Sequence, residues 1–294
     1  MTNICFFNFY HNGDLFHSKP FVREVVKTFG KEKVMYAHYK SHDVFQEFDI
    51  PLVRLEGIDH KTKVLRTEEP DMLFLNTWIG SYFDKYEGEC TLNFNMKMWA
   101  DIYEEINKVF GTDLKLGLTE NYLPYVNYSK YDLSYVKAYL DGDANPKILL
   151  CNGPAFSGQS QYVGDMGEFI RPLAIHHPDK TFIITSGIVN EDKLPNIVTT
   201  DSITQRYKRN GCDLNEISYL SKFCSLIVGQ NSGPFCFSST EENLNDPNKI
   251  FYAFGSRETD CFTHGYPVKC NYIFEKYVDV DQLYESIKKL VNNL

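Results

Sequence analysis

The sequence predicts an α/β protein built from two parallel sheets with helices on both faces. Short apolar runs of strand length alternate with helical stretches along most of the 294 residues. This alternation occurs twice, and the turn-rich segment Asp141-Gly-Asp-Ala-Asn-Pro146 separates the two series. Because strands that alternate with helices are typical of parallel sheets, we expect two Rossmann-like halves, residues 1–143 and 147–294, facing a central cleft.

The first half opens with an apolar run at residues 3–10, read as a buried strand, and a polar turn at 11–14. A helix is expected to begin near Ser18, which can cap the first turn, and Pro20, which has no N–H to lose there. Gly30 is expected to end this helix. Further elements of this half are predicted as strands at 33–38, 51–55 and 72–76 and a helix at 97–110.

The second half repeats the alternation after residue 146. The segment Asp213-Leu-Asn-Glu216 has the pattern of a capping box, in which Asp accepts from first-turn amides and Glu reaches back. The predicted elements are strands at 147–151, 181–186, 197–200, 226–228 and 249–254, and helices at 165–176, 213–224, 234–243 and 281–292.

The composition excludes broad binding to nucleic acid. The net charge is −9 and the isoelectric point is near 5.4, whereas binding to a phosphate backbone needs many Lys and Arg on one face. The densest basic cluster contains only Arg206, Lys208 and Arg209. No segment approaches the roughly 20 apolar residues that span a bilayer, and the N-terminus has no signal-peptide pattern. We therefore expect no integral membrane contact.

The cysteines indicate a reducing compartment. The chain has eight of them without a CxxC pair. Several lie in apolar runs, such as Cys5, Cys151 and Cys224, where a free thiol packs as a small hydrophobe. A zinc site is therefore not expected, and the sequence predicts a cytoplasmic protein.

Ligands of open parallel sheets bind beyond the carboxyl ends of the strands. The loop Gly229-Gln-Asn-Ser-Gly-Pro234 lies between a strand and a helix, and its small residues allow a ligand to approach the backbone. Asn231, Ser232, Gly233 and Pro234 would form an anion site at the helix N-terminus, suited to a diphosphate. The alternative is a tight turn that needs glycine for its geometry alone.

Two further loops are predicted to lie at the same edge. Ser157, Gly158, Gln159 and Ser160 follow the strand at 147–151 and could hold the same phosphates from the other side. Arg257 follows the strand at 249–254 and is a candidate cation for the diphosphate, as is Arg206. The alternative for residues 157–160 is an ordinary loop, and the alternative for the arginines is a solvated position on the surface.

Asp14 is the candidate acid–base group. It lies in the first strand-to-helix loop, where the helix N-terminus is expected to keep it ionised, and an ionised carboxylate can accept the proton of an attacking hydroxyl. The alternative is a turn residue that bonds its own backbone. His11 and His17 are rival bases nearby.

Several catalytic motifs are missing from the sequence. It contains no GxGxxG after the first strand, no GxxxxGK[ST] and no HExxH, and its Gly229–Ser232 spacing differs from GxSxG. The strings Asp141-Gly-Asp143 and Asp279-Val-Asp281 are interpreted as turn and cap residues rather than metal ligands.

Two blocks of sequence resemble the ADP-heptose:lipopolysaccharide heptosyltransferase-like glycosyltransferases. The first is Asn12-Gly-Asp14 followed by Ser18-Lys-Pro-Phe21 and an apolar helix. The second is Asp213–Leu220 followed by Ser225-Leu-Ile-Val-Gly-Gln-Asn-Ser-Gly-Pro234, which is similar to the family's helix, strand and Asp-Ser-Gly loop. Asn231 replaces the Asp of that loop, and Phe235-Cys-Phe237 stands where the family has a His.

The resemblance implies a GT-B fold, with the nucleotide sugar on the C-terminal half and the last helix crossing back to the first domain. It implies an inverting, metal-independent glycosyltransferase without a cofactor, whose co-substrate is a nucleotide-diphosphate sugar and whose acceptor is a glycan, a lipid or another hydroxyl compound. Asp14 would be the base, and Asn12, Gly13, His17 and Lys19 the acceptor side. The alternatives are a nucleotide-sugar epimerase or hydrolase on the same fold, and a non-catalytic nucleotide- or glycan-binding protein.

Overall fold

The chain forms two compact units. The computed structural model describes residues 2–38, 42–152, 166–185, 194–205, 212–255, 263–276 and 279–294. The first unit comprises Met1–Lys130 and Thr263–Pro267, and the second comprises Tyr131–Phe262 and Val268–Leu294. The helix that precedes the turn-rich segment at 141–146 therefore belongs to the second unit.

The first unit contains a five-stranded sheet in the order β3-β2-β1-β5-β4. Its strands are β1 (Asn3–Phe7), β2 (Val34–Ala37), β3 (Leu52–Val53), β4 (Val64–Glu68) and β5 (Asp71–Asn76). All pairs are parallel except β4 with β5, which is antiparallel. Phe7 is in register with both Ala37 and Asn76, so β1, β2 and β5 end at the same edge of the sheet.

The helices of this unit are α1 (Asn12–Phe29), α2 (Phe83–Tyr86) and α3 (Thr91–Phe110), with 3-10 turns at His42–Phe48, Ile79–Ser81, Thr119–Tyr122 and Tyr128–Lys130. Aromatic rings join α1 and α3, because Phe21 stacks on Trp99 with 4.9 Å between ring centroids. Phe21 also stacks on Tyr122 at 4.3 Å. These buried rings fix α1 against α3 and so fix the position of its N-terminus.

The start of α1 differs from the prediction. The helix begins at Asn12 rather than near Ser18, and Pro20 lies in its interior. Pro20 has no N–H to donate to the carbonyl of Phe16, and its side chain is buried. The Ser18 hydroxyl donates to the Leu15 carbonyl at 2.8 Å, which is typical of a serine inside a helix. Asp14 therefore lies in the first turn of α1 and not in a loop before it.

The second unit contains a six-stranded sheet in the order β11-β10-β9-β6-β7-β8, with all pairs parallel. Its strands are β6 (Lys147–Cys151), β7 (Thr181–Ile184), β8 (Ile197–Thr199), β9 (Cys224–Gly229), β10 (Ile250–Gly255) and β11 (Asn271–Lys276). Gly229 is in register with Cys151 of β6 and Ala253 of β10. The strand β9 is thus central, and its end lies between those of β6 and β10.

Seven helices belong to this unit: α4 (Ser134–Gly142), α5 (Gly167–His176), α6 (Thr200–Thr204), α7 (Leu214–Ser221), α8 (Gly233–Ser238), α9 (Glu241–Leu244) and α10 (Val280–Asn292), counted in the described part of the chain. The single helix predicted at 234–243 is divided into α8 and α9, because Thr240 starts a new helix and accepts from the N–H of Asn243. The buried residues Leu283, Ile287 and Val291 of α10 pack into the core beside β6 and β9. This face of the last helix is thus occupied within the second unit.

The capping box predicted at Asp213 is wrong. Asp213 stands just before α7, but its side chain makes no capping hydrogen bond. The Thr204 hydroxyl donates to the Asp213 carboxylate at 2.9 Å instead. Both groups are buried, and a tertiary hydroxyl donor here replaces the local backbone donors that the motif assumes.

Candidate functional site

Asp14 lies at the carboxyl edge of the first sheet. The residues that follow the three aligned strands are Asn8 after β1, His38 after β2 and Thr77 after β5, and all three are buried. Asp14 reaches this edge from the first turn of α1, and only 7% of it is exposed. The carboxylate therefore belongs to the strand-end position where open α/β sheets bind ligands.

Burial controls the ionisation of Asp14. It raises the pKa of this carboxyl to about 7, although the backbone N–H of Ile79 and the side chain of Asn8 both favour the charged form. The sequence predicted that the helix N-terminus keeps Asp14 ionised, and the structure differs because loss of hydration outweighs the helix and these donors. A carboxyl with a pKa near 7 can accept and release a proton at neutral pH, as a general base must.

A buried tyrosine and threonine support this edge. The Tyr36 hydroxyl is hydrogen-bonded to that of Thr77, and the backbone N–H of Thr77 donates to the Phe7 carbonyl at 2.9 Å. Tyr36 also stacks on Phe45 with 4.0 Å between ring centroids. Burial raises the pKa of Tyr36, and the nearby Asp14 charge raises it further, so Tyr36 stays a neutral neighbour of the carboxylate.

The predicted acceptor-side residues Asn12, Gly13 and His17 lie around Asp14 on α1. Asn12 and Gly13 occupy the two positions before it, at the start of the helix. His17 lies about one turn further along and is 2% exposed, with its ring 6.0 Å from that of Tyr266. Burial lowers the pKa of His17 to about 3, so its imidazole is neutral at physiological pH and is a weak rival to Asp14 as the base.

Lys19 does not reach an open surface. Its ammonium lies 2.7 Å from a carboxylate oxygen of Glu47, and the two side chains are 0% and 2% exposed. Glu47 also accepts from the backbone N–H of Asn127. Lys19 was expected on the acceptor side, but its charge is engaged in a buried ion pair that joins α1 to the 3-10 turn at His42–Phe48.

The first edge also carries an aromatic cluster, formed by Tyr10, His60 and Trp78, that sequence reasoning missed. The rings of Tyr10 and Trp78 lie 4.5 Å apart, and His60 lies 5.3 Å from Tyr10 and 5.7 Å from Trp78. Tyr10 is 46% exposed, and the other two are half-buried. The available signal was position alone, since Tyr10 follows β1 by three residues and Trp78 follows β5 by two.

In the second unit, the loop after β9 is tightly built. A Cβ on Gly229 would lie 2.8 Å from the Cβ of Cys151 and from the Phe235 ring, so glycine is needed for close packing. The N–H of Ser232 donates to the Gln230 carbonyl at 2.6 Å, and Ser232 then precedes α8. Both interpretations of this loop stand, because it is a tight turn that also presents a half-buried Asn231 at the edge of the sheet.

The helix after this loop is short. Gly233 and Pro234 open α8, which has six residues. The partial charge at a helix N-terminus grows from aligned peptide dipoles, so α8 contributes less to anion binding than a long helix would. Any phosphate bound here would depend more on nearby polar and cationic side chains.

The other predicted donor residues lie outside the described residues. These are Ser157, Gly158, Gln159, Ser160, Arg206 and Arg257. The described strands before two of these segments, β6 and β10, both pair directly with β9. The chain therefore leaves the sheet at three adjacent strand ends, and the shared site stays a prediction.

Two features are absent from the described part of the chain. No group of three or more His, Cys, Asp and Glu side chains in this part of the chain is arranged to hold a metal ion. Likewise, none of the described helices is long and apolar enough to cross a membrane.

Several solved structures are similar to this chain, all at low sequence identity. E. coli ADP-heptose lps heptosyltransferase II matches with a TM-score of 0.52 and 11% identity, over 99% of this chain and 99% of that chain. E. coli heptosyltransferase WaaC with ADP-2-deoxy-2-fluoro heptose matches with a TM-score of 0.52 and 8% identity, over 100% of this chain and 99% of that chain. A putative UDP-N-acetylglucosamine 2-epimerase from Listeria monocytogenes matches with a TM-score of 0.47 and 10% identity, over 100% of this chain and 89% of that chain.

At the level of sequence, no protein-family model and no curated protein matches the chain. The predicted resemblance to the heptosyltransferases is confirmed in three dimensions, and the chain has the GT-B fold of these glycosyltransferases.

Proposed function

We propose that this protein is an inverting, metal-independent glycosyltransferase that moves a sugar from a nucleotide-diphosphate donor to an acceptor hydroxyl. The observation that carries the proposal is Asp14, a buried carboxyl with a pKa of about 7 at the strand ends of a GT-B fold. A buried carboxyl costs stability when it ionises, and perturbed groups of this kind cluster at functional sites.

The proposed reaction is a single displacement. The Asp14 carboxylate accepts the proton of the acceptor hydroxyl, and the oxygen forms a bond to the anomeric carbon of the donor. The bond from that carbon to the diphosphate breaks on the opposite face, so the configuration inverts. The nucleoside diphosphate leaves with the bonding electrons, and the proton remains on Asp14 until solvent removes it.

The donor is proposed to bind at the carboxyl edge of the second sheet. Asn231, Ser232, Gly233 and Pro234 follow its central strand, and we assign the diphosphate to this loop together with 157–160. Arg257 and Arg206 are proposed to offset the phosphate charge, which would stabilise the leaving group without a metal ion. The nucleotide sugar is thus a co-substrate, and no cofactor is proposed.

The composition bears on the proposed partners and location. A net charge of −9 disfavours nucleic acid as a partner. The proposed acceptor, which the resemblance to the heptosyltransferase-like enzymes implies, is a glycan, a lipid or another hydroxyl compound. Cys5, Cys151 and Cys224 are buried free thiols, in keeping with a reducing cytoplasm.

Asp14→Asn tests the proposal. The donor is found first by thermal shift with UDP-, GDP-, ADP-, CMP- and dTDP-linked sugars, since a ligand at 100 times its Kd stabilises a fold by about 2.7 kcal/mol. We expect Asp14→Asn to lower kcat for transfer by a factor of about 10² to 10⁴, while the thermal shift with the donor is retained.

Two results would contradict the proposal. Unchanged turnover in Asp14→Asn would remove Asp14 as the base, and a protein stabilised by none of these compounds would not be a nucleotide-sugar enzyme. Product analysis separates the alternatives, because an epimerase or hydrolase acts at full rate without an acceptor.

A further inference from the structure

The cluster of Tyr10, His60 and Trp78 is built into the edge that carries Asp14, and local contacts connect it to the carboxylate. The Asn8 amide oxygen accepts from the N–H of Tyr10 at 2.9 Å, and the Asn8 side chain also acts on Asp14. On the other side, the N–H of Ile79, directly after Trp78, is a hydrogen-bond donor to Asp14. The two rings therefore flank the residues that hold the carboxylate.

The position of the Trp78 ring depends on Gly80. A Cβ on Gly80 would lie 2.2 Å and 2.4 Å from two atoms of the indole, so the ring lies directly over this glycine. The N–H of Trp78 donates to the Asn76 side chain at 2.9 Å, which fixes the turn after β5. Three contacts thus position Trp78: its ring lies against Gly80 and against the Tyr10 ring, and its backbone N–H is bonded to Asn76.

The exposure of the cluster distinguishes it from core packing. Phe7, three residues before Tyr10, is 0% exposed, whereas Tyr10 keeps 46% of its surface in solvent. Polar groups adjoin the rings, since the Asp59 carboxylate lies 3.4 Å from the imidazole of His60 and its side chain is 67% exposed. The surface thus combines aromatic faces with hydrogen-bonding groups at its side.

A sugar ring has the complementary chemistry. One face of a pyranose presents C–H groups with partial positive charge, which the negative face of an aromatic ring attracts, and its rim presents hydroxyls. A lipid chain would instead favour an extended apolar surface without exposed carboxylates. We infer that Tyr10 and Trp78 form an acceptor subsite that binds a saccharide ring beside Asp14, so that the acceptor is a glycan. This assignment rests on the proposed transferase function.

The first test measures binding without turnover. The probe is an array of immobilised neutral and acidic oligosaccharides, with long-chain alcohols as the lipid-like comparison. We expect the protein to bind a subset of the saccharides, and Tyr10→Ala to weaken this binding about tenfold. Tyr135→Ala is the matched control, because Tyr135 is a similarly exposed tyrosine, 43% against 46%, in the second unit, and it should bind as the unmodified protein does.

Gly80→Ala supplies a variant that keeps every aromatic side chain. Its Cβ must displace the indole, so saccharide binding should fall as in Tyr10→Ala. The tryptophan fluorescence should also change, because the displaced Trp78 is one of only two tryptophans and the other, Trp99, is fully buried. Gly142→Ala is the control, since a Cβ at Gly142 meets nothing within 4 Å.

The outcomes separate the two proposals. If no saccharide is bound, or if Tyr10→Ala and Gly80→Ala bind as the unmodified protein does, the aromatic subsite is wrong. With an active transferase, Tyr10→Ala should raise the acceptor KM about tenfold with a smaller change in kcat, and an unchanged KM would overturn the inference alone. If the unmodified protein neither transfers nor hydrolyses any nucleotide sugar, the proposed function has failed instead.

Discussion

Asp14→Asn is expected to stabilise the first unit at alkaline pH, in addition to lowering kcat for transfer. Burial raises the pKa of Asp14 from 3.8 to about 7. Below pH 3.8 the carboxyl is protonated in the folded and the unfolded chain, so it has no effect on the free energy of unfolding. Between pH 3.8 and about 7 only the unfolded chain ionises, and stability falls as the pH rises. Above about pH 7 the folded chain carries the full cost of a buried charge.

The magnitude follows from the size of this rise. A pKa that increases from 3.8 to about 7 on folding lowers the free energy of unfolding by about 4 kcal/mol at pH 8. Asparagine has nearly the same shape and cannot ionise. Any change in the hydrogen bonds of this residue alters the free energy of unfolding by the same amount at every pH. The difference in the free energy of unfolding between Asp14→Asn and the unmodified protein should therefore grow by about 4 kcal/mol from pH 4 to pH 8.

Urea unfolding monitored by tryptophan fluorescence measures this difference. The chain has two tryptophans, Trp78 and Trp99, and both lie in the first unit, so the signal reports the unit that contains Asp14. Asp113→Asn is the control, because the Asp113 side chain is 78% exposed and its substitution should add no comparable dependence on pH. A difference that stays constant between pH 4 and pH 8 would refute the assignment of a raised pKa to Asp14.

Three further predictions concern catalysis and packing. In the pH profile of transfer, kcat/KM should rise tenfold per pH unit up to about pH 7, where Asp14 ionises, and then level off; a flat profile from pH 5 to pH 8 would exclude Asp14 as the base. Lys19→Met should cost about 3–5 kcal/mol in urea unfolding by leaving the Glu47 charge buried, and Lys19→Met with Glu47→Leu should recover much of it, whereas additive losses would contradict this account of the pair. Gly229→Ala should lower the free energy of unfolding by about 1–3 kcal/mol, because its Cβ overlaps two neighbouring side chains. If calorimetry shows that Gly229→Ala is as stable as Gly142→Ala, this account of the packing is wrong.

The sequence predicted the fold because the relevant signals are local. Buried parallel strands are nearly continuous apolar runs, so β1, β6 and β9 were found within a few residues of their observed bounds. The missed strands β4 and β11 lie at sheet edges, where partial exposure along the strand leaves a weaker apolar pattern.

For the site, the sequence by itself predicted the edge of each sheet at which ligands are expected to bind, and it marked Asp14 and Asn231 as candidate site residues. Only the tertiary structure decided that Asp14 is buried with a raised pKa and that Lys19 is engaged by Glu47. Tertiary structure alone also joins Tyr10 to a tryptophan 68 residues away. The reason is physical: a strand or a turn is encoded by neighbouring residues, whereas desolvation, ion pairing and ring stacking depend on groups that meet only after the sheet has formed.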